Sequence, residues 1–307
     1  MASLKELRTR ISSIRSTQKI TAAMKMVAAS RLRKAQILVT ESTVYTHNVL
    51  DTATRLAFDL QQDEKLHNIR YLYPRIMREP LKHENHLLVV FSSDRGLAGN
   101  FNYQVAKITT QRIDDLQKEG INVKLICIGK KAADLIKRSH PDNIIEVREG
   151  MAKKGADYKE MKSFGFKLLN RFNEGEMDVC EFITSKFISA INREVNPVQV
   201  LPLVVSQDIG KELDSDPTTL EDGAVYEYES DKMTMLEKVL PLLFRGLVFQ
   251  AMVNSQASEQ SARMTSMDNA TRNANDMINK LTLKYNGIRQ SAITTELVEI
   301  IAGAEAV

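Results

Sequence analysis

The chain has 307 residues, 43% of them hydrophobic and 26% charged, with a formal net charge of +3. That composition excludes a disordered chain and predicts a folded, water-soluble one: two ordinary domains, or one domain with a large appendage. Cys127 and Cys180 are far apart and flanked by apolar residues; they read as buried free thiols and exclude a disulfide framework.

The N-terminus, MASLKELRTRIS, lacks the apolar core of a signal peptide and does not read as a long organelle import leader. No run approaches the roughly 18 apolar residues of a membrane span, so any work at a membrane is expected to be peripheral. The first proline is Pro74 and the first glycine Gly96. A stretch so free of helix breakers predicts one long helix, from about residue 3 to 58, spanning roughly 80 Å. Along it Leu4, Leu7, Ile11 and Ile14 step by three and four, followed by Met24, Val27, Ala28, Leu32 and Ala35. That is one narrow apolar seam, rich in Ala and interrupted by Gln18 and Thr21, in a coiled-coil pattern.

The middle of the chain changes character. His86–Phe91 is an apolar strand candidate running into the loop from Ser92 to Gly96, and Val123–Ile128 is a second, ending at Gly129. Ile144–Val147, Val179–Phe187 and Gln199–Val205 follow, with helical stretches near 99–118, 130–139 and 156–174 between the earlier strands. Strands alternating with helices predict right-handed βαβ units and a mainly parallel sheet. Pro202 marks the fifth run as an edge strand or a strand end. From Gly246 to Gly287 the breakers vanish again, and Met267, Ala270, Ala274, Met277, Leu281, Tyr285, Ile288 and Ala292 form a second seam. This predicts a helix from about 233 to 302, roughly 100 Å long. The fold class is therefore α/β: a long antiparallel coiled coil of the N- and C-terminal helices, with an inserted, mainly parallel, Rossmann-like domain of about five strands. The expected divisions are 1–60, 75–210 and 230–305.

Few motifs carry chemistry. The segment Ser93-Asp94-Arg95-Gly96-Leu97-Ala98-Gly99 follows the first strand and opens a helix, where a nucleotide phosphate sits in doubly wound folds. It has neither the spacing of G-x-G-x-x-G nor GK[ST], so it reads as a structural or partner-contact turn. The five histidines are scattered, and no nearby acidic or thiol set completes a metal site around His83 and His86. No nucleophile–base arrangement is evident, and no catalytic, cofactor-binding or metal-binding residue is assigned. Residues 1–40 carry nine basic side chains (Lys5, Arg8, Arg10, Arg15, Lys19, Lys25, Arg31, Arg33, Lys34) against Glu6 alone, a local charge of +8. A face of one sign suits an acidic partner, but the lack of interleaved aromatics argues against single-stranded nucleic acid.

Three segments resemble the γ subunit of the rotary, proton-translocating ATP synthase family, nearly end to end. They are Thr17-Gln18-Lys19-Ile20-Thr21 with Met24-Lys25-Met26-Val27-Ala28, the loop from Ser93 to Asn102, and Ile293-Thr294-Thr295-Glu296-Leu297-Val298-Glu299 closing on Gly303-Ala304. Many relatives have Cys where Ala98 stands, and the plastid type's redox-regulatory cysteine insert is absent here. The resemblance implies a central rotor shaft, one copy per complex, without an active site of its own. It also implies partners: the α and β subunits of the catalytic head, an ε-type small subunit and the ring of c subunits, with no nucleic acid and no cofactor. The implied location is peripheral on the coupling membrane, at the cytoplasmic face of the bacterial inner membrane, or the mitochondrial matrix face had a leader been removed. By the same resemblance Arg289 and Gln290 contact catch loops of the catalytic ring, and Thr294 and Glu296 share those turns. Met24 and Lys25 lie where the first helix passes the moving lower lobes of the β subunits. Tyr226 and Tyr228 belong to the foot near the c ring. Two other classes compete. A basic coiled-coil nucleic-acid binder would be retained on heparin with a steep salt dependence, and a nucleotide-dependent α/β enzyme would require ATP binding by the isolated chain.

Overall fold

The computed structural model describes residues 4–62, 74–78, 80, 83–151, 156–189, 192–203 and 228–305. The elements are α1 (Leu4–Gln62), a 3-10 turn at Arg75–Met77, β1 (Asn85–Phe91), α2 (Phe101–Lys118), β2 (Asn122–Ile128), α3 (Lys130–Ile136), β3 (Ile144–Arg148), α4 (Tyr158–Asn173), β4 (Val179–Phe187), β5 (Arg193–Leu201) and α5 (Lys232–Glu305). They group into two compact units. One holds residues 31–262; the other pairs the start of α1 with residues 263 onward.

In the larger unit the sheet order is β3-β2-β1-β4-β5. The β3–β2, β2–β1 and β1–β4 pairs are parallel, with registers such as Leu88↔Leu125 and Leu88↔Glu181. The last pair, β4–β5, is antiparallel. The expected fifth strand, 199–205, is displaced: β5 runs from Arg193 to Leu201, and residues 204–205 lie outside the described residues. The displacement has a local cause. β5 reads Arg-Glu-Val-Asn-Pro-Val-Gln-Val-Leu and buries only its last two residues, so it shows no apolar run. Pro197 is tolerated because an edge strand leaves one row of N–H groups unpaired. Only residues 188–192 separate β4 from β5, too few for a crossover, so the pair must be antiparallel.

Alternation along the strands divides the core in two. Leu87, Val89, Phe91 and Phe182 face a layer made by Ala53 and Leu56 of α1, Phe164 and Leu168 of α4, and Leu240 and Phe244 of α5. Leu88, Val90, Leu125 and Ile183 face α2 and α3 through Phe101, Val105, Ile113 and Ile136. In this unit α1 also runs against α5. Gln250 donates to Thr43 Oγ1 at 3.2 Å, and Gly246 leaves room for Tyr45 and Thr46, which a Cβ there would meet at 3.4 and 3.2 Å.

The smaller unit is the other stretch of helix pair. Gln18 Nε2 donates to Asn275 Oδ1 (2.9 Å), Thr271 Oγ1 to Thr21 Oγ1 (2.8 Å) and Lys25 Nζ to Asp268 Oδ1 (2.6 Å). The numbers fall on one helix as they rise on the other, so the pair is antiparallel. The seam differs from the expected one at two places: Val27 is 53% exposed and Met277 46% exposed. Leu7, Ile11, Ile14, Gln18, Thr21 and Ala28 line it on α1, and Met267, Thr271, Ala274 and Ile278 on α5. A strict seven-residue repeat carries the seam through Gln18, Thr21 and Lys25, and pushes Val27 to the outside.

Candidate partner-contact site

The loop after β1 is built from the backbone outward. Ser93 N–H donates to Asn102 Oδ1 (3.0 Å), Ser93 Oγ to Arg95 O (2.8 Å), and Gly150 N–H to Asp94 Oδ2 (3.0 Å). Strand order reverses between β1 and β4, and the crevice beyond their C-terminal ends is where doubly wound folds hold nucleotides. Here α5 fills it: Ser255 Oγ donates to Phe91 O (3.4 Å), Ser258 Oγ to Ser185 O (3.0 Å), and Asn254 Oδ1 accepts from Phe187 N–H (3.3 Å). The run Ala251–Ala262, buried but for half-buried Asn254 and polar side chains included, follows from that placement.

The sequence-derived contact residues fall into separate groups. Met24 is half-buried and Lys25 exposed, on α1. Lys25 does not project as a lone cation: Asp268 holds it at 2.6 Å, and Arg272 holds the other oxygen of Asp268 at 2.8 Å. The hydrogen bond from Lys25 is the largest influence on Asp268 and keeps its carboxyl below the ordinary carboxylate range, with Arg272 adding to it against some desolvation. Arg289, Gln290, Thr294 and Glu296 are all exposed on α5, and Thr294 Oγ1 bonds back to Gln290 O at 3.0 Å. The helical period puts Arg289 with Glu296 on one stripe and Gln290 with Thr294 on another, roughly a third of a turn around the helix. Asp268, level with Lys25, is about 30 Å along the axis from Arg289, so the α1 and α5 candidates do not form one site. Tyr228, in the other unit, donates from its hydroxyl to Asp59 Oδ2 (2.8 Å), and Lys232 lies over its ring at 5.6 Å. Tyr226 lies outside the described residues.

The polar contacts of the helix pair were missed in the sequence. Gln18 and Lys25 are seven apart, as are Asp268 and Asn275. That equal spacing on both helices is the signal that could have found them.

Each inter-helix pair adds to 292 or 293 in residue number. Leu4, the first described residue of α1, is therefore level with residue 288 or 289, and α5 continues to Glu305. Beyond that level Ile293, Leu297, Val298, Ile300 and Ile301 are 48–68% exposed.

The ATP synthase family model matches residues 3–307. The ATP synthase gamma chain of Rhodospirillum rubrum is 42% identical over 307 residues, covering all of both chains. That of Gluconobacter oxydans is 39% identical, again over all of both chains. Among solved structures, a chain of the Euglena gracilis mitochondrial ATP synthase OSCP/F1/c-ring assembly superposes with a TM-score of 0.63 at 18% identity, covering 99% of this chain and 94% of that one. A chain of the Tetrahymena thermophila mitochondrial ATP synthase central stalk and c ring gives 0.52 at 20% identity, over 82% and 99%. The chain belongs to the ATP synthase γ-chain family. Its function is that of the gamma chain of that enzyme.

Proposed function

We propose that the chain couples proton flow to ATP synthesis by asymmetric contact alone and contributes no catalytic residue. Three catalytic sites between α and β subunits are equivalent until something breaks their symmetry. A single asymmetric rod presents a different face to each β subunit and biases each toward a different conformation. The segments 1–60 and 230–305 serve as the shaft, and 75–210 as the body facing an ε-type subunit and the c ring, with Tyr228 and Tyr226 at that foot. One copy works per complex, peripheral to the membrane at its cytoplasmic face. Among the described residues no helix is long and apolar enough to cross a membrane, and the full-length bacterial relatives support that location.

The observation that carries this reading is the exposure of Arg289, Gln290, Thr294 and Glu296 on α5, level with or beyond Leu4, the first described residue of α1. The exposed cations of α1 add to it. A turning shaft suits solvated pairs of about 0.2–1 kcal/mol, exchanged from one β subunit to the next, rather than desolvated ones whose rupture costs several. Lys25 joins that exchange by leaving Asp268, whose charge Arg272 still balances.

The test uses the assembled complex in vesicles. Replacing Arg289, Gln290, Thr294 and Glu296 together by Ala is expected to lower ATP-driven proton pumping about tenfold, the effect of roughly 1.4 kcal/mol of lost differential contact. Pumping at the parental rate rejects the assignment. Turnover of ATP by the purified chain alone rejects the claim that it carries no catalytic site.

A further inference from the structure

Glu181 on β4 is a carboxylate in the apolar layer between the sheet and α2, its side chain 5% exposed. It lies opposite Leu88 of β1 and two residues from Ile183, both fully buried. A charge in such a place needs a partner with matching hydrogen bonds. Arg112 of α2 supplies a fork: Nε donates to Oε2 at 2.8 Å and an Nη donates to Oε1. This pair bonds α2 to β4 across the core.

A third group stands beside it. His86 of β1 is 7% exposed, and its Nδ1 lies 3.8 Å from Glu181 Oε1, within ion-pair range but too far for a hydrogen bond. Neither ring nitrogen has a hydrogen-bond partner among the described residues. The charged groups around the ring are Glu181 and Asp178 from β4 and the turn before it, Arg112 from α2, and His83 from the approach to β1. Asp115 and Glu119 of α2 act on Arg112 in turn. A cleft of about 40 Å³ lined by Asn85, His86, Leu87, Asn122, Lys124, Arg171 and Glu176 lies at this end of β1.

The fork of Arg112 already occupies both oxygens of Glu181. A neutral His86 leaves it undisturbed. A protonated His86 would bring a second cation to the same carboxylate, and Oε1 is the oxygen nearer to both. We propose that His86 is a proton-operated latch: its protonation turns Glu181 toward the imidazolium, opens the Arg112 fork and loosens α2 from the sheet. Burial, the largest influence, holds the His86 pKa below its ordinary 6.5, opposed by Glu181. The folded chain therefore binds this proton less readily than the unfolded chain. The stability carried by neutral His86 is complete above about pH 6.5 and is lost as pH falls from there toward the folded-state value.

The test is hydrogen exchange of the full chain at about pH 7.5 and about pH 5.5, corrected for intrinsic rates. Peptides from α2 are expected to lose protection about threefold or more at the lower pH, while α4 does not change, and His86→Gln is expected to abolish the difference. Should His86→Gln fail to fold, an NMR titration of the His86 ring in the parent decides instead. The expected midpoint is below 6.5, with the Arg112 Nε–H signal moving in step. Equal α2 protection at both pH values, an unchanged loss in His86→Gln, or a ring midpoint at or above 6.5 overturns the proposal.

Discussion

Replacing Gly129 by Ala would separate backbone strain from steric overlap at the hinge of the β1 loop. Gly129 sits between β2 and α3 with φ 93° and ψ 143°, a region that L side chains rarely enter, at a cost of roughly 1–3 kcal/mol. A Cβ there would lie 2.4 Å from Ser92 O and 2.6 Å from Ser92 C, both backbone atoms. Ser92 cannot simply withdraw. Its N–H donates to Ile128 O at 2.7 Å, its hydroxyl to Gly129 O at 3.1 Å, and Ala132 N–H donates to that hydroxyl at 3.4 Å. Forcing these apart resembles overpacking a core, about 1–3 kcal/mol more. The sum is about 2–6 kcal/mol, and the shift would reach Ser93 and the loop beyond it. Gly120→Ala is the control: φ is 79°, nothing lies within 4 Å of its would-be Cβ, and only strain of roughly 1–2 kcal/mol applies. Urea unfolding of the full chain, followed by far-UV circular dichroism, measures both. Equal losses in the two variants would refute the close-approach argument.

Three further outcomes are expected. Burial pushes the Cys127 thiol up to about 12 and raises that of Cys180 as well; both should resist a thiol reagent at neutral pH until denaturant is added, and labelling in the folded chain would contradict their burial. Asp268→Asn should flatten the acid sensitivity of the helix pair. The paired carboxylate, held below its ordinary 3.8, lends stability that is present above about that pH and lost as pH falls through the lower folded value; an unchanged acid profile of the variant counts against the Lys25 pair. Truncation from Ile301 onward removes only residues beyond the level of Leu4, so thermal stability should stay within about 0.5 kcal/mol and coupling should suffer less than from the four-residue replacement above. Complete loss of coupling on that trimming would reverse the ranking.

What the sequence determined by itself was whatever is periodic or punctuated locally. Breaker-free ends required long helices, and apolar runs closed by Gly129 or opened by His86 required strands, because backbone steric rules and side-chain period act within a few residues. The seam was nearly legible too. It failed at Val27 and Met277 because apolarity was followed where the seven-residue repeat passes through Gln18, Thr21 and Lys25, polar residues that only a facing helix could satisfy. β5 was misplaced because an edge strand with Pro197 and one exposed face carries almost no hydrophobic signal. The tertiary structure alone decided the rest. Residues 86, 112 and 181 share nothing in sequence. They meet because β1 lies between β2 and β4 and α2 crosses that face, so the choice of strand neighbours, made by burying two whole layers of side chains, sets which charges confront one another.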